Sequence, residues 1–148
     1  MAHNTASISS NGLTSAENTE LLNLLGNSQV KMVLLGKLAG ANMNSTADQA
    51  ITIHSTKYIV TQVVTTNAST SLTTAAGGLY AGASKTNALV GSGQLYTALT
   101  ASTKFASLTL ATLAGTDVRT EGALYLSLTL GQGSAATADV YVFGLRLD

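Results

Sequence analysis

The chain contains no cysteine, no proline and no tryptophan, and only 9% of its 148 residues are charged. Without cysteine there are no disulfides and no thiolate metal sites, and the redox compartment stays open. Without tryptophan, the flat platform that sugar-binding and sugar-cleaving clefts often use is missing. An average globular domain carries roughly a quarter charged residues, so self-repulsion here is weak and the solubilising surface is small. Such a chain relies on Thr, Ser and Asn for solubility, or has much of its surface covered by partners. Seven Lys/Arg offset seven Asp/Glu, for a formal net charge of zero. The basic residues are scattered from Lys31 to Arg146 and form no stripe. Nucleic acid, whose affinity rests on several cation–phosphate contacts, is therefore not an expected partner.

Long apolar runs are also missing. The best candidates, Val30–Leu38 and Tyr58–Val64, are interrupted by Lys, Gly, Thr or Gln and fall short of the ~20 residues that cross a bilayer as a helix. No membrane partner is expected. The opening MAHNTASISSNG has no basic stretch followed by an apolar core, so no secretory signal is expected.

What is present is alternation. Apolar residues make up 45% of the chain, enough for the core of a single domain. In GALYLSLTL, Leu124, Leu126, Leu128 and Leu130 share one face, and Tyr125, Ser127 and Thr129 the other. In DVYVFGLRLD, Val140 and Val142 oppose Tyr141, Phe143, Leu145 and Leu147. A period of two marks a strand with two distinct faces. VKMVLLGKL (Val30–Leu38), AITIHS (Ala50–Ser55), KYIVTQVVTTN (Lys57–Asn67) and KFASLTLATL (Lys104–Leu113) read as further strands. GANMNSTADQ reads as a loop. Ala68–Gly93 reads as short strands with glycines at unusual backbone angles or close approaches. Gln94–Ala101 fits a strand or a helical turn.

The expected fold is all-β: an antiparallel β-sandwich, jelly-roll-like, of seven or eight strands with an N-terminal arm and one short helix. Residues 1–28 form the arm and helix, and residues 29–148 the sandwich domain. Ser15 or Asn18 caps the helix, Gly26 stops it, and Leu21, Leu22, Leu24 and Leu25 form its stripe. Two turns of helix are not stable alone. These leucines must pack on something: they read first as an ordinary docking helix on the sandwich and second as a partner-binding arm, a reading to which the uncommitted residues before them add weight. Leu-Tyr recurs at Leu79–Tyr80, Leu95–Tyr96 and Leu124–Tyr125, unequally spaced. Tyr80 and Tyr96 are expected at the rim as partner contacts, offering rigid area and a polar tip.

Reactive chemistry is not visible. His3 and His54 are the only histidines, and neither belongs to a cluster with metal-ligand spacing. His54 reads as a strand-end or surface residue. There is no G-x-S-x-G elbow, and GSGQL at Gly91 lacks the remainder of a phosphate-binding loop. Asp117, Arg119 and Glu121 read as local ion pairs in a solvated turn. No catalytic residue, no cofactor and no metal site is expected.

Three segments carry a resemblance: IVTQVVTTNASTSLTTAAGGLYAGASKT, LYTALTASTKFASLTLA and GALYLSLTLGQGSAATADVYVFG, spanning Ile59 to Gly144. In texture, with Thr/Ala/Gly/Ser-rich short strands and a polar N-terminal arm, the chain resembles capsid decoration, or cement, proteins of tailed bacteriophages. The resemblance implies a virion structural protein without enzymatic activity. It would sit on the capsid surface as a homo-oligomer, commonly a trimer, with the major capsid protein as partner. The alternatives are a tail, collar or head-fibre component, or a carbohydrate-binding β-sandwich module with its exposed tyrosines as stacking platform.

Overall fold

A computed structural model describes residues 32–111 and 117–148. Among them there is no helix, and eight strands form two antiparallel four-stranded sheets. The strands are β1 (Val33–Asn42), β2 (Gln49–Thr52), β3 (Tyr58–Thr66), β4 (Ala76–Gly82), β5 (Thr86–Val90), β6 (Phe105–Ser107), β7 (Ala123–Leu130) and β8 (Thr137–Arg146). The first sheet runs β1-β8-β3-β6 and the second β2-β7-β4-β5. Strand β1 pairs with β8, β2 with β7, β3 with β6, and β4 with β5. The pairing is nested, first strand with last and inward from there. Two more ladders, β3·β8 and β4·β7, complete the sheets.

Alternation decides which side chains meet between the sheets. Val60, Val63, Val140 and Val142 of the first sheet and Ile51, Leu79, Leu124, Leu126 and Leu128 of the second are all 0% exposed, in one continuous core. Burying each such side chain contributes roughly 1.5–3 kcal/mol. The arrangement is sandwich-like: each sheet gives one face to a common interior. Two glycines allow close approaches, one between the layers and one within a sheet. A Cβ on Gly36 would strike the Thr52 carbonyl and the Ile53 side chain, where β1 passes β2. A Cβ on Gly144 would strike the Ile59 carbonyl of neighbouring β3.

Several expectations need correction. Strand β1 does not stop at Leu38 but runs on to Asn42. Register shifts at Leu34/Gly36 and Leu38/Ala41, with Gly40 at φ 63°, carry it through residues that read as loop. Strand β6 is only three residues long, not the whole of Lys104–Leu113. Gln94–Ala101 is neither strand nor helical turn; Leu95 makes an isolated bridge to Ala76, and turns follow. Leu130 does not share the burial of its row: it is 56% exposed, as the last residue of β7. The expected arm, the helix and Leu21, Leu22, Leu24 and Leu25 lie outside the described residues.

Candidate functional site

The polar candidates come first. His54 is exposed just past β2, where its backbone amide bonds the Leu35 carbonyl. Among the described residues, no group of three or more His, Asp or Glu is placed to hold a metal ion. The Gly91–Gln94 segment is a turn closed by the Gln94 amide on the Gly91 carbonyl at 3.1 Å. Asp117 and Glu121 each sit 3.5 Å from the Arg119 guanidinium, so the local ion pairs are present. The turn is not simply solvated, however: the Arg119 side chain is only 10% exposed. Its backbone bonds Tyr58 in both directions, at 2.7 and 3.0 Å. The Tyr58 hydroxyl donates to the Glu121 carbonyl at 2.9 Å, and burial, then the Glu121 charge, pushes that phenol up to about 12. This cluster straps a loop to the end of β3, which accounts for its charges without a substrate.

The expected placement of Tyr80 and Tyr96 is corrected. They are 2% and 0% exposed. The segment after Gly93 pairs along the start of β4, and alternation there turns Leu95 outward and Tyr96 inward. The Tyr96 hydroxyl donates to the Gly77 carbonyl at 3.3 Å inside the protein. Tyr80 points out of β4 but is covered there, and its hydroxyl finds no hydrogen-bond partner among the described residues. Burial raises both phenols above their ordinary value. Neither ring presents area to a partner.

A groove of about 570 Å³ lies between Gly91–Leu95 and Thr109–Ala111. Its one side-chain amide is already engaged. Gln94 accepts from the Thr109 amide at 2.9 Å and donates to the Leu95 carbonyl at 2.8 Å. Leu95, 57% exposed, is its main apolar feature. An open trough whose side-chain amide is engaged and whose other polar side chain is the Thr109 hydroxyl is a poor small-molecule site.

The outward face of the first sheet is different. Register places Leu34, Phe143 and Gln62 in one row across β1, β8 and β3. Lys37, Tyr141, Val64 and Ser107 form the next row, ending on β6. Asp139, Thr66 and Phe105 form a third, and Leu145 and Ile59 a fourth. Phe105 is 66% and Leu34 49% exposed, while Tyr141, Phe143, Leu145, Ile59 and Val64 are half-buried by one another and their neighbours. Tyr141 and Phe143 stack with centroids 6.3 Å apart. The Lys37 ammonium lies 4.8 Å from the Tyr141 ring centre and 3.6 Å from Asp139. Tyr141 first, then Asp139, raises the Lys37 pKa. The Gly40 amide, at 2.8 Å, holds the Asp139 carboxyl below its usual range, aided by Asn67 and Lys37. The face is therefore more apolar than polar, with an aromatic pair, and its two charges, Lys37 and Asp139, neutralise each other. The alternation of the last strand made Tyr141, Phe143 and Leu145 visible in the sequence as its second face. The signal that marks them out is a strand apolar on both sides.

No family model, no curated protein and no solved structure matches this chain.

Proposed function

We propose that this chain is a virion structural protein: a decoration, or cement, protein of a tailed-phage head, folded as a jelly roll. It acts by touching other copies and the major capsid protein on the capsid surface, as a homo-oligomer, commonly a trimer, and catalyses nothing. The phage assignment comes from the resemblance in texture. The physical support is separate. Eight strands in two sheets, paired first with last and inward from there, suit a rolled-up double Greek key, an architecture used by capsid and lectin domains. The observation that carries the reading is the apolar, neutral outward face of the first sheet. A free surface of that kind is disfavoured in water, and burial against another subunit removes the cost.

A cement protein binds the assembled lattice and not its free subunits, and so stabilises the lattice by mass action. Many shallow contacts repeated over a shell give avidity without a deep pocket. The test adds purified chain to heads that lack it. Saturable binding and a higher temperature of genome release are expected; absence of binding at micromolar concentrations would sink the assignment. Removing residues 1–15 should weaken binding while the far-UV spectrum stays that of a β protein. A tail, collar or head-fibre component is separated from this reading by immunolabelling of intact particles. The carbohydrate alternative loses Tyr80 and Tyr96 as stacking platform, because both are buried, and a glycan array tests what is left of it.

A further inference from the structure

We infer that the outward face of β1-β8-β3-β6 is the surface by which one copy of this chain packs on a second copy. The inference rests on the proposed self-assembling role and names the surface that performs it.

Charge selects the occupant. The ionised side chains in the outward rows are Lys37 and Asp139, and they pair with each other at 3.6 Å. An acidic or basic partner finds no complement there. Two copies of this face meet without like-charge repulsion, which a contact between identical patches requires. The chemistry at the centre agrees. Tyr141 and Phe143 lie on β8, an interior strand of the sheet, flanked by β1 and β3. Aromatic residues at the middle of a patch are the usual centre of an interface. Phe105 and Leu34 mark the two edges, on β6 and β1.

Size sets the expected strength. Strand β8 has ten residues, about 33 Å at ~3.3 Å per residue, and four strands ~4.8 Å apart span about 14 Å. The footprint is on the order of 450 Å² before side-chain relief. That is below the ~800 Å² per partner of a standard stable interface. Association in free solution should therefore depend on concentration, and become firm where a lattice holds copies side by side.

The experiment uses the full chain in sedimentation equilibrium across a concentration series. A mass rising above one chain is expected for the unsubstituted protein. Phe143→Asp should weaken association at least ~10-fold. Phe105→Ser, a milder change at an exposed edge, should weaken it measurably while keeping the fold if Phe143→Asp does not. Tyr125→Asp, on the outward face of the other sheet, should leave it unchanged. A mass of one chain at every concentration overturns the inference. So does association that survives both face substitutions, or that Tyr125→Asp abolishes. A chain that stays single in solution yet decorates heads would remove this surface and leave the proposed function standing. A chain that pairs through this face yet binds no heads would do the reverse.

Discussion

The two sheets share one interior but present opposite exteriors. The outer side of the first carries Leu34, Tyr141, Phe143, Val64 and Phe105. The outer side of the second carries Thr52, Gly78, Tyr80, Tyr125, Ser127 and Thr129, residues small or polar except for two tyrosines, of which Tyr80 is buried. Local chain also lies over it. Asp48 accepts from the Ser84 amide at 2.6 Å, Lys85 reaches the Thr46 carbonyl at 3.3 Å, and Ser127 is 0% exposed. Among the described residues, local chain lies over the outer face of the second sheet, while the apolar outer face of the first has no such cover. Burial of both faces of a sheet therefore does not identify a buried layer of the fold. It can reflect one loop crossing, as over Ser127.

The largest effect should come from destroying what the two sheets have in common. Leu126→Ala opens a hole in the shared core and should cost ~2–5 kcal/mol, read from the urea midpoint. Next comes the close approach inside the first sheet. Gly144→Ala drives a methyl into the Ile59 carbonyl and should cost ~1–3 kcal/mol, whereas Gly122→Ala, with open space around it, should stay within about 0.5 kcal/mol. The third test separates two buried phenols. Tyr58→Phe loses the bond to Glu121 and should cost ~0.5–1.5 kcal/mol. Tyr80→Phe removes a hydroxyl without a described partner and should be neutral or slightly stabilising. A clear loss of stability in Tyr80→Phe would show that its hydroxyl is satisfied.

The smallest effect is the acid response, to which both exteriors contribute. Asp139 on the first sheet and Asp48 beside the second both have carboxyls held below their ordinary range, chiefly by the Gly40 and Ser84 amides. A folded-state value below the unfolded one means stability present above about pH 4 and lost as pH falls toward the depressed value. Asp139→Asn should flatten that decline in a denaturation series from about pH 5 downward. Asp148 behaves alike. Its carboxylate accepts from Ser55 and Thr56 hydroxyls and the Thr56 amide at 2.6–2.7 Å, which places its pKa well below the carboxylate range.

Alternation made the long strands legible. The inward leucines of β7 and the valines of β8 are where period two puts them, because a two-layer fold leaves each residue only two environments. The hairpin β4–β5 was harder to read because its turn hides. Ser84 and Lys85 hold φ of 57° and 60°, where Asn-Gly or Asp-Gly would have announced the turn. The tyrosines were misplaced because Leu-Tyr after glycine says nothing about which side of the strand faces in. That was decided at Tyr96 by the pairing of its segment with Ala76, and at Tyr80 by chain lying over β4, both long-range. The outward face of the first sheet was readable as residues, but its lack of cover among the described residues was not, since no local pattern says which apolar side of a strand the rest of the chain will cover.

The nested pairing has a consequence for how the protein is made. Strand β8, synthesised after every other, sits between β1 and β3 in the middle of its sheet. Until Thr137–Arg146 leaves the ribosome, β1 lacks its ladder partner and β3 has only the three residues of β6. Half the structure waits for the last ten-residue strand, and during that wait two sticky β edges are open to other nascent chains.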